Sequence, residues 1–196
     1  MASGQIKGVV FRTFVSWYAT KRGPRGLDAA LQRLPLHVRA EFDPSRPSLG
    51  ILPWRWYPSE HVHALIEAVD HGLSDATREA WLREANRNAV DLLVGGPFRW
   101  LLANVASPQM YGRHVQSIWD MLHDTGERRI TFPSAFEAES VVSNWAGHHP
   151  VLCEIVHTTT AAVFEATGCR GLKHERVACV SRGDTDCRSR LAWDGY

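Results

Sequence analysis

Four cysteines, Cys153, Cys169, Cys179 and Cys187, all fall in the last quarter of this 196-residue chain. Thiolates are soft, strongly basic ligands, and three of them with one nitrogen or carboxylate oxygen suit a tetrahedral zinc ion. The intervals lack the tight cysteine pairs of a zinc ribbon. A shared ion therefore requires Cys153 on a helix that lies against a hairpin carrying Cys179 and Cys187. Cys169 lies ten residues before Cys179, about 30 Å along an extended strand, and cannot join the others if that strand is straight. Glu175 has the same side parity as Cys179 and is nearer, while His157 follows Cys153 by one helical turn on the same face; either can serve as fourth ligand. The competing reading is that free cysteines are small core residues, with His157 a hydrogen-bonded core histidine and Glu175 a solvated strand residue.

The elements that would position these side chains can be read locally. An apolar helix spans about Val151 to Ala166 and stops at Thr167-Gly168. Two strand-like runs follow, joined at Arg182-Gly183-Asp184-Thr185. There Gly183 can adopt positive φ and Asp184 can bond nearby backbone amides, which is a sounder account of the Arg-Gly-Asp triplet than an integrin ligand. His148-His149 precede the helix, and Asp120, His123 and Asp124 cluster at the end of another; both groups read as solvated helix ends.

Upstream, the periodicity gives helices over about 11–23 and 24–34, a proline-rich loop over 41–58 with a short strand near Ile51, and a helix from Ser59 to Asp70. A further helix runs from Ser74 towards Val94, shorter turns cover 98–105, and Ser107-Pro108 opens the last helix of this part. Glu127 to Phe132 and Phe136 to Val142 read as strands. The expected fold class is α+β, a helical layer packed on a small, mainly antiparallel sheet. It forms a single domain, 1–196, with a helical part (about 1–125) and an α+β part (about 126–196).

Composition removes several function classes. Lys+Arg 22 against Asp+Glu 21 gives a net charge of +1, too little field for nucleic acid or an anionic membrane. The cysteines are too few for a disulfide scaffold, and no apolar run is long enough to span a bilayer, so a cytoplasmic setting is expected. The sequence contains no glycine-rich phosphate loop, serine elbow or His-Glu-x-x-His helix, so no nucleotide cofactor and no catalytic residues are assigned.

Several segments resemble known families. Ile6-Lys7-Gly8-Val9-Val10-Phe11, Trp56-Tyr57-Pro58, Ser107-Pro108 with Ile118-Trp119, and the ending Cys179 to Cys187 with Trp193 resemble a family of uncharacterised myxobacterial proteins. The C-terminal part resembles the 4-vinyl-reductase domain, a small-molecule-binding fold related to TRAPP trafficking subunits. In its zinc-containing members one cysteine sits on the long helix, two flank a glycine-containing turn, and a glutamate lies three residues before the first of that pair. Cys153, Cys179 and Cys187 match these cysteines, whereas Arg176 occupies the glutamate position with Glu175 one residue earlier. The opening Lys7-Gly8-Val9-Val10-Phe11, with Gly23 further on, also resembles haem-nitric-oxide-binding domains. Their Tyr-x-Ser-x-Arg haem-propionate motif is absent from the sequence, so no haem is expected.

These resemblances imply a non-catalytic sensory or regulatory module that binds a hydrophobic or aromatic small molecule and functions as a homodimer or with a protein partner. The metal set is Cys153, Cys179, Cys187 and Glu175, holding a structural Zn2+. Trp56, Tyr57, Phe98, Tyr111, Trp119 and Trp145 are the candidate pocket walls, with core packing as the alternative for each. A scaffold or dimerisation protein without a small ligand is the second class, and an enzyme the third.

Overall fold

The computed structural model describes residues 4–71 and 107–196, together with 74, 77, 80 and 84. The expected turns over 98–105, Phe98 among them, and most of the helix expected from Ser74 to Val94 lie outside the described residues. The chain divides into two compact units, Met1–Ala85 with Leu122–Asp124, and Asn86–Met121 with Thr125–Tyr196.

In the first unit, strand β1 (Gln5–Lys7) leads directly into helix α1 (Gly8–Arg33). The two expected helices are both present within this span, the first starting earlier than Phe11, and they are separated at Gly23, where φ 67° and ψ −179° are not helical. Glycine tolerates that conformation and Pro24 restarts the helix with one donor fewer. A single turn, α2 (Leu36–Arg39), follows. The strand expected near Ile51 is instead a 3-10 turn over Pro47–Gly50, with Ser48 and Leu49 both at positive φ. Strand β2 (Trp56–Pro58) pairs antiparallel with β1, setting Ile6 opposite Tyr57, and runs straight into α3 (Ser59–Asp70). Ser59 is the first helical residue, as expected, and its N–H donates to the Gly4 carbonyl at 2.8 Å. Phe11, Val15, Leu31, Tyr57, Val62, Leu65 and Ile66 fill this unit's core.

The second unit sets helices on one sheet. Ser107 caps α4 (Pro108–Asp120) by accepting from Met110 N–H, with Pro108 in the first turn. The sheet is antiparallel throughout, with spatial order β3 (Glu127–Ser134), β4 (Glu137–Ser143), β6 (Cys187–Ala192), β5 (Lys173–Ala178). The α+β expectation holds in this general sense. Helix α5 (Pro150–Ala166) opens with His149 Nδ1 accepting from Val151 N–H, and Gly168 leaves it at φ 99°.

Cys153, His157, Thr160 and Phe164 recur every three or four residues along α5 and are all fully buried, the stripe a helix presents to a sheet. The sheet answers with cross-strand rows: Val142 with Cys187, Ser140 with Ser189, Ala138 with Leu191. Phe164, Leu191, Tyr111, Ile130 and Trp193 form the apolar centre. Each polar rung of the stripe has a partner, Ser189 Oγ lying 2.9 Å from His157 Nδ1 and the Arg128 guanidinium reaching Thr160 Oγ1, while His157 Nε2 is buried without one. His157 is therefore the hydrogen-bonded core histidine, and burial depresses its pKa to about 3.

Candidate metal centre

Three sulfurs converge at one end of that stripe. Cys153 hangs from the first turns of α5, Cys187 opens β6, and Cys179 stands just after β5 at the entry to a 3-10 turn, Val180–Arg182. The turn is built to hold Cys179. Its carbonyl accepts from Arg182 N–H at 2.8 Å, its own N–H donates to Asp184 Oδ2 at 2.7 Å, and Gly183 closes the turn at φ 91°. The Arg-Gly-Asp triplet is accordingly a turn device.

Cys179 Sγ lies 3.7 Å from Cys153 Sγ and 3.8 Å from Cys187 Sγ. The fourth position belongs to His148, whose Nε2 is 3.5 Å from Cys179 Sγ. All four ligand atoms lie within 4.8 Å of one another. Zinc–sulfur bonds of about 2.3 Å at tetrahedral angles put sulfurs about 3.8 Å apart, and a zinc–nitrogen bond of about 2.05 Å puts nitrogen about 3.5 Å from sulfur. The three pairs that Cys179 makes have those edge lengths.

Glu175 does not join the group. Side parity along a straight strand would place it with Cys179, but the register slips between Arg176 and Ala178. That bulge consumes one residue and reverses parity. Glu175 pairs with Arg190 and is exposed, while Cys179 points inward. Cys169 packs in the apolar cluster with Phe164 and Leu191, away from the other three. His148, read from sequence as a solvated helix end, is the group that sequence reasoning left out of the candidate set. The available signal was its place immediately ahead of the helix that carries Cys153.

The electrostatics favour thiolates here. Cys187 is pulled down to about 4, first by the Cys153 thiol beside it, with His148 and the Val180 N–H adding to this against burial. Cys153 moves up in exchange, through the same bond and through burial. Burial opposes ionisation of Cys179, but the Ser181 hydroxyl 3.1 Å away, the Ser181 N–H and His148 outweigh it. His148 is raised, chiefly by Cys187 and against its own burial. The cluster thus favours a thiolate beside an imidazolium, and a divalent cation would displace the protons.

The aromatic candidates divide between the two units. In the first, Tyr57 is 2% exposed, stands edge-on to Phe11 and accepts a hydrogen bond from Leu52 N–H, while Trp56 lies under Lys7 Nζ at 4.0 Å. In the second, Tyr111 packs edge-on against Phe164 and Trp119 against Trp145. None of these five lines the cleft of about 350 Å³ beside Leu31 and Phe42, or that of about 570 Å³ beside Phe136 and Tyr196.

This arrangement of helices and antiparallel sheet is the fold of H-NOX (heme-nitric oxide/oxygen binding) domains. The chain is similar to the Fe(II)NO state of an H-NOX protein from S. oneidensis, with TM-score 0.72 and 10% identity, covering 97% of this chain and 100% of that one. It is also similar to the unliganded Fe(II) H-NOX protein from K. algicida (TM-score 0.68, 13% identity, 97% and 98% covered) and to a variant of Tt H-NOX (TM-score 0.63, 13% identity, 97% of each). At these identities the likeness establishes the fold. No protein-family model and no curated protein matches the sequence.

Two expectations are corrected by these neighbours. The resemblance to the myxobacterial family and to the 4-vinyl-reductase/TRAPP fold gives way to H-NOX, because cysteine spacings and short openings are local signals that several helix-on-sheet folds can carry. The expectation of no haem also falls, since similar structures are described through heme redox potential and heme distortion. Among the described residues no helix is long and apolar enough to cross a membrane.

Proposed function

We propose that the chain is a non-catalytic sensory module for a small hydrophobic or aromatic molecule, its C-terminal helix fastened to the β5–β6 hairpin by a structural zinc. Cys153, Cys179, Cys187 and His148 hold the ion. The observation that carries the zinc is the convergence of three buried sulfurs and one imidazole nitrogen within 4.8 Å of one another, the three distances from Cys179 matching the edges of a zinc tetrahedron. Three thiolates and a neutral imidazole leave no position for substrate water, which is the ligand set of a structural rather than a catalytic zinc. Support for the sensory role is the H-NOX fold, whose similar members are described with NO and with heme.

The fit of this chain's residues to a haem group is partial. Tyr57-Pro58-Ser59-Glu60-His61, across the junction of β2 and α3, is the described segment nearest in pattern to Tyr-x-Ser-x-Arg, with histidine at the arginine position; Tyr57 and Ser59 are buried, and the Tyr57 hydroxyl accepts from Leu52 N–H. A second segment, Phe132-Pro133-Ser134-Ala135-Phe136, lies at the β3–β4 turn. It keeps the serine but puts phenylalanine at the tyrosine and arginine positions. Phe132 stacks on Phe164, and Phe136 stands edge-on to Trp193, so neither a phenol nor a guanidinium is offered to propionates there. The function is accordingly derived through the metal centre and an organic ligand.

Elemental analysis with native mass spectrometry on the purified chain tests this reading. The expected result is one zinc per chain, a retained organic molecule, haem included among those the mass would reveal, and a dimer mass. A chain with neither zinc nor a retained molecule overturns it.

A further inference from the structure

His148 differs from the other three ligands in how it is held. Cys153 is fixed by a helix, Cys187 by a strand and Cys179 by a capped turn, whereas His148 lies in the segment between β4 and α5 and is the one member of the set that is not fully buried. Something other than secondary structure must aim its ring.

Trp145 is placed to do so. Its carbonyl accepts from His148 N–H at 3.2 Å, closing residues 145–148 into a tight turn. Its indole stands edge-on to the imidazole, with centroids 5.6 Å apart at 87°. On its other side it meets Trp119 at 5.0 Å and 79°. Trp119 is anchored in turn, 1% exposed, with Nε1 donating to the Thr125 carbonyl at 2.8 Å. Gly126, at φ 95°, leaves room for both indoles: a Cβ there would lie 3.1 Å from Trp145 Cβ and 3.2 Å from Trp119 Nε1. The sequence α4, Trp119, Trp145, His148 is therefore one continuous packed path ending at the metal position.

We propose that Trp145 is a positioning residue for the metal ligand His148, tying the centre to α4 through Trp119. This rests on the zinc reading above. A ligand already held in its bound rotamer loses less freedom when the ion arrives, so the ring contributes to affinity without touching the metal. The path also works in reverse, since occupancy of the centre restrains His148 and through it the Trp145–Trp119 pair.

Cobalt(II) in place of zinc gives the test, because its visible bands report ligand type and geometry separately from folding. Wild type, Trp145→Ala, Trp145→Phe and His148→Ala are compared by competition against a chelator and by spectrum. Trp145→Leu, which keeps apolar bulk without a flat ring, is read if Trp145→Ala does not yield folded protein. Expected is a loss of metal affinity of roughly tenfold or more in Trp145→Ala or Trp145→Leu, a cobalt spectrum shifted towards that of His148→Ala, and recovery in Trp145→Phe. Wild-type affinity and spectrum in the ring-less variants overturn the positioning role alone. A wild-type chain that shows no cobalt–thiolate bands overturns the zinc reading and this inference together.

Discussion

Chelating the metal, and separately replacing Cys179 by serine, perturbs the centre at its best-connected ligand, which lies 3.7 and 3.8 Å from two other sulfurs and 3.5 Å from His148. An ion bound only by the folded chain stabilises it by about 4.1 kcal/mol when free metal is held at about a thousand times the dissociation constant. For a chain of this size each kcal/mol moves Tm by about 2–4 °C, so zinc-buffered and chelated wild type should differ by about 8–16 °C. The assay is thermal unfolding followed by circular dichroism in a zinc buffer and in excess chelator. In Cys179→Ser the two curves should nearly coincide, because the hydroxyl is a far poorer zinc ligand than a thiolate. Wild-type curves that coincide, or a Cys179→Ser chain that keeps both its zinc and its chelator response, would refute the reasoning.

Other outcomes follow from the same geometry. Glu175→Ala should leave zinc stoichiometry unchanged by elemental analysis, whereas His148→Ala should lower affinity, since the strand bulge turns Glu175 outward; equal losses in both would contradict the ligand set. Trp119→Ala should destabilise the fold by about 3–5 kcal/mol in denaturant unfolding, the cost of a large cavity in a packed core; a small loss together with weakened ligand binding would make Trp119 a pocket wall instead. His157 is held neutral by burial, then by Arg128 and His174. Its pKa of about 3 lies below the unfolded value of about 6.5, so the unfolded chain takes up the proton first as pH falls. Its contribution is fully present above about pH 6.5 and declines towards pH 3 by up to ~1.4 kcal/mol per unit. His157→Gln should flatten that part of the stability profile, and an unchanged slope would show that other groups set it.

Much of the fold was legible because its signals are local. The kink at Gly23-Pro24, the Ser107-Pro108 opening of α4, the stop at Gly168 and the Arg182–Thr185 turn each follow from the conformational limits of a few adjacent residues. The turn even foretold its own chemistry, for Asp184 bonds the backbone as a short acidic side chain in a turn should. Strand β2 was not legible: three residues carry no periodicity, and it is a strand only because β1, some fifty positions earlier, pairs with it.

The sequence by itself determined the local elements, a helix carrying Cys153 followed by a hairpin carrying Cys179 and Cys187, and so made their meeting one of two open readings; the packing of that helix on the sheet brought the three sulfurs together. Tertiary structure decided which side chain stands fourth beside the sulfurs. One bulged residue in β5 reverses which face Glu175 occupies, and the turn from Trp145 to His148, wedged against Trp119, delivers an imidazole from a segment that shows no pattern of its own. Parity and periodicity describe an element taken alone, and what sits beside a metal depends on how far each element has slipped or turned against its neighbours.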